Sequence, residues 1–327
     1  MRNFLLLFIF FHLYSLAYSQ SINGIILDEQ TKIPIEFASI YFNSSFVGTT
    51  SDLDGNFQLD ISRNTSMPLT ISAIGYYSIT LTDYSTGNPL IIYLSPKVYE
   101  INEIVLKGKS YVRQRRNYLK FFKNEFIGKT SNVKHCKILN EQDITFNYEN
   151  AKDTLKAFAL KPIVVDNYSL GYSITYYLDK FELYRKTSIL VFSGNIIFNA
   201  DLITEENKEE MNAKRTDAFL GSRMHFFRAL WANKLKLNGF NVLRLGERLD
   251  YKHIVFQEEN KKFLSYPEDL EVVYDTYLTQ MILLKDKVYF DQEGYFDPSG
   301  IRWEGDMGRL RIADWLPYEY DSITFKR

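Results

Sequence analysis

Short apolar runs separated by polar turns fill the first third of this chain, and they predict β-structure. Between residues 20 and 108 such runs recur about every 8 to 12 residues, a spacing typical of an all-β sandwich or barrel. Phe57, Leu59 and Ile61 alternate with polar residues, so one face of their strand should pack and the other should meet water. The predicted strands cover residues 22–27, 37–42, 46–51, 56–61, 69–73, 77–81, 90–94 and 101–106.

The rest of the chain mixes helical and strand patterns, which predicts an antiparallel α+β domain. Apolar residues at helical spacing predict helices over residues 112–126 and 217–235. The sequence Ser193-Gly194-Asn195 between two apolar runs predicts a hairpin turn, and a meander is the simplest topology for the last strands. The predicted strands here cover residues 144–148, 154–160, 163–165, 172–184, 189–192, 196–198, 242–245, 253–256, 270–274, 281–284, 288–290, 301–303 and 309–312.

The first 19 residues have the pattern of a cleaved signal peptide. Arg2 precedes a short apolar run, and Ala17-Tyr-Ser19 fits a small-residue cleavage site. The run is interrupted by polar residues, and no later apolar stretch is long enough for a spanning helix. We therefore expect an exported protein in the periplasm or at the cell surface, without a transmembrane segment after cleavage.

Charge and cysteine usage exclude some partners and cross-links. The formal net charge is −1, and loss of Arg2 with the signal peptide would make it −2, which gives no electrostatic argument for nucleic acid. Cys136 is the single cysteine, so no intramolecular disulfide can form in an oxidising compartment. We expect stability to come from packing alone.

Several motifs in residues 21–107 together resemble the carboxypeptidase-D regulatory-like domain. The motifs are Gly-x-Ile-x-Asp28, Pro34-x-x-Phe-Ala-Ser-Ile, Gly48-Thr-x-Ser-Asp-x-Asp-Gly-x-Phe57, Ile71-Ser-x-Ile-Gly-Tyr and the closing Ile101-x-Glu-Ile-Val. The resemblance implies a transthyretin-like (prealbumin-like) β-sandwich of seven or eight strands, found in exported proteins of Gram-negative bacteria. It implies a non-catalytic accessory or interaction role, despite the name of the family.

The Asp52-x-Asp-Gly55 motif has two interpretations. Alternating carboxylates and a glycine occur in calcium loops, but an EF-hand would need glycine and glutamate where this chain has Phe57 and Arg63. The alternative is a tight hairpin in which an aspartate accepts local backbone hydrogen bonds and Gly55 supplies a positive φ. We favour the hairpin.

Five residues are weak candidates for binding. Arg223, His225 and Arg228 lie on one predicted helix and could bind an anion, although a structural role for His225 is the stronger interpretation. Trp303 and Trp315 could stack on sugar rings, but aromatic residues also fill β-structure well. No catalytic or metal-binding residue is assigned, and no cofactor is expected.

The common catalytic motifs are missing from the sequence. A zinc carboxypeptidase site needs His-x-x-Glu and a further histidine, and none of His135, His225 and His253 is followed by glutamate three residues later. Neither Gly-x-Ser-x-Gly nor a glycine-rich phosphate loop occurs. The adjacent His135 and Cys136 could bind a metal or form a thiol site, but neighbouring side chains rarely point the same way.

These observations predict a signal peptide (1–19), a regulatory-like sandwich (20–108), a linker and helix (109–128) and an α+β domain of unknown function (129–327). The leading hypothesis is a non-enzymatic envelope protein with a binding or assembly role, whose partners are outer-membrane or envelope proteins or a glycan. One alternative is a hydrolase that acts on glycan or peptide through residues 115–327. The other is a carbohydrate-binding accessory protein.

Overall fold

The computed structural model describes residues 20–61, 67–84, 88–97, 109–187 and 189–321. The predicted signal peptide and the predicted strand at residues 101–106 lie outside the described residues. The chain is mainly β, as predicted, and three hydrophobic clusters form its interior. We name its parts the sandwich (20–97), the first lobe (109–219), the second lobe (223–309) and the C-terminal segment (310–321).

The sandwich has two sheets with a shared core, which confirms the predicted fold. Three strands form one sheet in the order β4-β1-β7, and four form the other in the order β3-β2-β5-β6. Strand β1 pairs antiparallel with β4 and parallel with β7. Ile26, Ile40 and Leu94 are fully buried between the sheets. The strands are β1 (Ser21–Asp28), β2 (Ser39–Phe42), β3 (Gly48–Thr50), β4 (Asn56–Asp60), β5 (Leu69–Ser72), β6 (Ile79–Leu81) and β7 (Leu90–Leu94).

The acidic motif before β4 forms a hairpin turn. Asp52 Oδ1 accepts hydrogen bonds from the backbone N–H groups of Asp54 (2.9 Å) and Asn56 (2.8 Å). Gly55 has φ +75°, and a Cβ at this position would lie 2.7 Å from the carbonyl oxygen of Ile26. The aspartate and the glycine therefore both serve the turn, as the hairpin interpretation predicted.

The first lobe is an antiparallel sheet covered by one long helix. Strand β12 is central: β11 and β10 pair with successive halves of one edge, and β13 pairs along the other. Phe122 and Phe126 of helix α1 pack on Phe181 and Tyr176 of β12. The elements are α1 (Lys109–Phe126), β8 (Cys136–Ile138), β9 (Ile144–Glu149), β10 (Thr154–Ala159), β11 (Ile163–Asn167), β12 (Tyr172–Tyr184), β13 (Ile189–Asp201) and α2 (Lys208–Phe219).

The predicted hairpin at residues 193–195 is wrong, because β13 continues through it. Gly194 faces Leu178 of β12, next to a register shift between Leu178 and Lys180. A Cβ on Gly194 would lie 2.3 Å from the carbonyl oxygen of Tyr177 and 2.5 Å from the ring of Tyr176. The glycine therefore permits close backbone approach at an irregularity inside a strand, which is the other common use of glycine in β-structure.

The single helix predicted over residues 217–235 is two helices. Helix α2 ends at Phe219, Gly221 has φ +73°, and α3 (Arg223–Trp231) starts after Ser222. The Ser222 hydroxyl accepts the backbone N–H of His225 at 3.2 Å and caps the new helix. In the described parts of the chain no helix is both long and apolar enough to cross a membrane.

The second lobe contains two further sheets, and the predicted meander and terminal strand are wrong. The five-stranded sheet has the order β15-β14-β18-β19-β21, and the three-stranded sheet has the order β16-β17-β20. Residues 309–312, predicted as a strand, begin with the last residue of a short helix and end with the first residue of a 3-10 turn. The elements are β14 (Phe240–Arg244), β15 (Glu247–Arg248), α4 (Tyr251–Ile254), β16 (Val255–Glu258), β17 (Lys261–Leu264), β18 (Leu270–Tyr274), β19 (Tyr277–Leu283), β20 (Val288–Phe290), β21 (Ile301–Gly305) and α5 (Asp306–Arg309).

The C-terminal segment joins the other three parts. Ile312 and Leu316 belong to the hydrophobic cluster of the first lobe, and Tyr318 packs against the sandwich core. The backbone N–H of Tyr318 donates to the carbonyl oxygen of Ser44 in the sandwich at 2.9 Å. Arg228 of the second lobe donates to the carbonyl oxygens of Tyr318 and Tyr320. The segment therefore fixes the sandwich and the two lobes against one another.

Candidate functional site

A large open cleft lies between the two lobes. Its volume is about 980 Å³, at the upper end of the range for ligand sites. The first lobe contributes residues just before β8 and on α2, and the second lobe contributes residues from β18, β19 and α5. We call it the interlobe cleft, and its charged and aromatic lining residues are Lys134, His135, Lys214, Asp217, Tyr274, Tyr277, Asp306, Arg309 and Asp314.

Charges of both signs meet in the interlobe cleft, and some of them have no partner in the protein. Lys214 pairs with Glu210 at 2.6 Å, and Arg309 pairs with Asp306 at 3.3 Å. Among the described residues, no hydrogen bond or ion pair engages the side chain of Lys134 or Asp217. A lysine and an aspartate without partners in a concave site can each bind an opposite charge on a ligand.

Two tyrosines form the aromatic part of the cleft. Tyr277 starts β19 and is 57% exposed. Tyr274 ends β18, and its ring packs on Phe240 with centroids 4.7 Å apart, which holds it in place. Burial raises the pKa of Tyr274, so its hydroxyl stays protonated and can donate a hydrogen bond. Such side chains present an apolar face together with a polar tip to a ligand.

The buried wall of the cleft is a hydrogen-bonded network around Asp314. Its Oδ1 accepts the Thr130 hydroxyl (2.6 Å) and the Asn132 amide (3.0 Å), and its Oδ2 accepts the backbone N–H of Arg311 (3.5 Å). Burial raises the pKa of Asp314, and the hydrogen bonds from Thr130 and Asn132 oppose that shift. These three hydrogen bonds use the Asp314 carboxylate to hold the loop before β8 against the C-terminal segment.

The adjacent residues His135 and Cys136 have different environments. His135 is exposed at the cleft, whereas the thiol of Cys136 is half-buried and lies 3.5 Å from the carbonyl oxygen of Asn132. Burial raises the pKa of Cys136 to about 12, so the thiol stays protonated and unreactive as a nucleophile. Within the described ranges, no three His, Cys, Asp or Glu residues are grouped as metal ligands.

His225, a predicted candidate, lies in the core behind the cleft and has a structural environment. Its Nδ1 accepts the backbone N–H of Gly221 at 3.1 Å, so the proton resides on Nε2, which lies 3.4 Å from Asn238 Oδ1. The rings of Phe219 and Phe240 lie on either side at 4.7 and 4.8 Å. Burial lowers the pKa of His225 to about 4, which keeps the imidazole neutral at physiological pH.

Arg228, another candidate, is buried and binds backbone carbonyl groups. It donates to Glu293 (3.0 Å), Tyr320 (2.7 Å) and Tyr318 (2.9 Å). These contacts fix the C-terminal segment to α3, and they occupy the faces of the guanidinium that an anion would need. Arg228 therefore has a structural role.

The remaining candidates are two tryptophans and Arg223. Trp303 packs among Phe226, Phe227 and Phe296 in the second lobe, so its ring is not an exposed platform for a sugar. Trp315 stacks on Phe192 with centroids 6.3 Å apart. The guanidinium of Arg223 lies 5.6 Å from the Trp315 ring, and both side chains line a second, smaller cavity. The structure thus brings together Arg223 and Trp315, which are 92 residues apart in sequence.

Sequence reasoning did not identify the residues of the interlobe cleft. Lys134, Asp217, Tyr277 and Arg309 are single polar residues at the ends of elements, and no motif spacing relates them. Only the packing of two lobes brings them to one cleft. The one available signal was their position near the ends of predicted elements, because binding residues are often found on connecting segments.

Comparison with known proteins identifies the N-terminal part. Residues 22–106 match the family model of the CarboxypepD_reg-like domain, in agreement with the two-sheet sandwich. A comparison with curated proteins found no match. Among solved structures, the chain is similar at 10% identity and a TM-score of 0.17 to the crystal structure of a 9R-lipoxygenase from Cyanothece PCC8801. That alignment covers 69% of this chain and 49% of the lipoxygenase chain, so this chain spans about half its length.

The N-terminal sandwich is therefore a carboxypeptidase-regulatory-like domain. The match covers the sandwich and ends before the first lobe begins at helix α1. The lobes and the interlobe cleft lie outside the matched residues.

Proposed function

We propose that this is an exported, non-catalytic binding protein of the bacterial envelope, which holds a charged polypeptide segment of a partner in the interlobe cleft. The observation that carries the proposal is the cleft itself, about 980 Å³ in volume and lined by opposite charges from two lobes. Lys134 suits the carboxylates of such a segment, and Asp217 suits its amines. The sandwich and the C-terminal segment support the lobes that form the site.

A binding role fits the cleft better than catalysis. A general base or an activated nucleophile needs a hydrogen-bonded partner that prepares it for reaction. The nearest such pair is Thr130 with Asp314, and Asp314 already accepts two further hydrogen bonds. Lys134 and Asp217 are free to bind, but neither contacts a second group that would activate it.

Carbohydrate binding is a second candidate function, supported by one observation. Tyr277 is exposed at the cleft and Tyr274 lines it nearby, and an aromatic face together with polar groups suits a sugar ring. A neutral sugar, however, would leave Lys134 and Asp217 without charged partners. The peptide hypothesis uses both residues, which is why we place it first.

A binding assay with defined probes tests the proposed function. Fluorescence anisotropy would measure the purified protein against labelled ten-residue peptides of acidic, basic and mixed charge, and against chitotetraose. We expect the mixed-charge peptides to bind, and Lys134→Glu to weaken them about tenfold, as loss of one interfacial charge contact implies. Lys186→Glu is the matched control, because Lys186 is exposed and does not line the cleft.

The same assay separates the competing functions. Binding of chitotetraose alone would favour the carbohydrate role. Mass spectrometry of the recovered peptide should show an unchanged chain, and cleavage would replace the binding role with a hydrolase. N-terminal sequencing of the mature protein, with an expected start near Gln20, tests export separately.

A further inference from the structure

A second cavity, distinct from the interlobe cleft in most of its lining, lies where all parts of the chain meet. Its volume is about 170 Å³. Asn43 and Ser44 of the sandwich, residues of β13, the start of α3 and the C-terminal segment surround it. We call it the junction cavity, and its apolar lining includes Ile196, Met224, Phe296, Trp315 and Leu316.

Arg223 brings a positive charge to this mainly apolar cavity. It is the first residue of α3, and its one side-chain hydrogen bond within the described ranges, from Nη2 to the carbonyl oxygen of Leu310, is long at 3.4 Å. Burial lowers the pKa of the guanidinium to about 10, and the charge of Arg311 acts in the same direction. The side chain is nevertheless protonated near neutral pH.

Two buried arginines of the lobes, Arg215 and Arg228, and the partly buried Arg311 of the C-terminal segment have more hydrogen-bond acceptors than Arg223. Arg215 donates to the carbonyl oxygens of Leu170 (2.7 Å) and Gly171 (3.2 Å) and lies over the Tyr172 ring. Arg228 donates to three carbonyl oxygens, and Arg311 donates to those of Glu125, Gly308 and Leu310. Arg223, by contrast, has five N–H donors and one weak acceptor.

Among the described residues, no carboxylate forms an ion pair with Arg223. In the described part of the chain, Asp314 is the one acidic residue that lines the cavity. Its oxygens accept hydrogen bonds from Thr130, Asn132 and Arg311. Arg223 is partly buried, and a cation there without a counter-charge suits the site to an anion from outside.

The ring of Trp315 forms part of the wall of the same cavity. The indole Nε1 of Trp315 is buried and has no hydrogen-bond partner among the described residues. Trp315 lines the junction cavity, and its ring lies 5.6 Å from the Arg223 guanidinium. The indole ring therefore forms part of the wall beside a guanidinium that keeps N–H groups without an acceptor in the described part of the chain.

We propose that the junction cavity binds a small apolar carboxylate, whose oxygens accept hydrogen bonds from Arg223 and whose apolar part contacts Met224, Phe296 and Leu316. A cavity of about 150 Å³ holds a benzene molecule, so about 170 Å³ suits a single ring or a short branched chain. The bound acid would link the sandwich, both lobes and the C-terminal segment. It would therefore stabilise the whole molecule as well as fill the site.

Calorimetric titration of the purified protein with phenylacetate tests this site. Phenylacetate should bind and raise the melting temperature, whereas phenylacetamide and 2-phenylethylamine, which have the same ring without the negative charge, should bind at least tenfold more weakly. Comparison of the three ligands needs no variant, so it tests the proposal even if a substitution disturbs folding. Equal binding of all three, or binding of none, would overturn it.

Substitutions at Arg223 assign the binding to the cavity. Arg223→Met keeps most of the side-chain volume and should weaken phenylacetate about 10- to 100-fold, as expected for loss of hydrogen bonds from a charged group. Arg223→Lys should retain part of the affinity. Arg116→Met, which changes an exposed arginine on α1, should bind phenylacetate normally. Undiminished binding by Arg223→Met would show that the ligand occupies another site and would refute the proposal.

Discussion

At the scale of single residues, buried charges differ in how completely the protein pairs them. Asp291 is 2% exposed, and its Oδ1 accepts the backbone N–H groups of Glu293 (2.9 Å) and Tyr295 (3.0 Å). Its Oδ2 has no hydrogen-bond partner among the described residues. Burial raises the pKa of Asp291 to about 6, so the ionised carboxylate destabilises the native state.

Asp291→Asn should change how stability depends on pH. The pKa is higher in the folded state than in the unfolded chain, so the native protein binds more protons and the wild type loses stability as pH rises from about 4 to 6. The amide of the variant does not ionise, so its stability does not decrease for this reason as pH rises. The amide oxygen can still accept the backbone hydrogen bonds of the turn. We expect the free energy of unfolding of the variant, relative to the wild type, to increase by about 2 to 3 kcal/mol between pH 4 and 7.

Urea denaturation at several pH values measures this difference. His225 also makes stability depend on pH over an overlapping range. Its pKa in the folded state is about 4, below the usual 6.5, so the free energy of unfolding decreases as pH falls through this range. That effect is common to both proteins and cancels in the difference between them. A difference between Asp291→Asn and the wild type that stays flat with pH would contradict the prediction.

At the scale of secondary-structure elements, helix α3 has two arginines with different tasks. Arg228 binds the C-terminal segment through the carbonyl oxygens of Tyr318 and Tyr320, whereas Arg223 lies at the junction cavity. The sequence placed both on one helix but could not separate their roles, because helical spacing says nothing about which carbonyl groups another element presents. The distinction appears only when the C-terminal segment packs against α3.

Arg228→Met should loosen the C-terminal segment selectively. The change leaves three carbonyl groups without their donor, and loss of a buried polar partner costs about 1 to 3 kcal/mol or more. Hydrogen–deuterium exchange over residues 316–321 should quicken at least tenfold, including at the Tyr318 amide that donates to Ser44. Arg223→Met, the same substitution one turn away, should leave exchange there unchanged. Equal exchange in the two variants would contradict the assigned task of Arg228.

Gly194 of β13 should tolerate no side chain. Gly194→Ala places a Cβ 2.3 Å from the carbonyl oxygen of Tyr177, so the pairing of β12 and β13 must shift, at an expected cost of about 2 to 4 kcal/mol. Gly75→Ala is the comparison, because Gly75 has φ +84° but no atom within 4 Å of a new Cβ. It should cost only about 1 to 2 kcal/mol. Chemical denaturation compares the two, and a smaller cost at Gly194 than at Gly75 would refute the interpretation of this glycine.

At the scale of the whole molecule, the sandwich is attached to the lobes by a turn. Asn43 Oδ1 accepts the backbone N–H of Ile196 (2.8 Å), and the N–H of Phe198 donates to Ser45 (3.0 Å). The Phe46 ring packs on Tyr172 and Phe198, with both centroids 5.8 Å away. These contacts join the regulatory-like domain to the first lobe.

We expect the protein to unfold in one calorimetric transition, with equal calorimetric and van't Hoff enthalpies. Phe46→Ala removes the aromatic contact with the first lobe and should separate the transition of the sandwich from that of the lobes. Phe37→Ala is the control, since Phe37 is an exposed residue of the sandwich away from these rings. Two transitions in the wild type, or one in Phe46→Ala, would contradict this coupling.

Sequence reasoning worked where local pattern decides structure and failed where contacts between distant residues decide it. The period-two pattern identified β12 and β18 residue for residue, and the aspartate and glycine of the Asp52 turn were interpreted correctly. Gly194 was misread because glycine beside asparagine suits a turn as well as a bulge. The interlobe cleft could not be predicted, because Lys134 and Tyr277 come together only when two separate lobes pack.

The central claim is that the interlobe cleft binds a polypeptide segment of an envelope partner. The most direct measurement is photo-crosslinking in cells that make the protein, with p-benzoylphenylalanine in place of Tyr277 at the cleft or of Tyr93 on the outer face of the sandwich. We predict a discrete polypeptide adduct from position 277, none of the same mass from position 93, and loss of the adduct when Lys134→Glu and Asp217→Lys reverse the free charges. The claim would be contradicted if position 277 gave no specific adduct, or if the adduct still formed after the charge reversal.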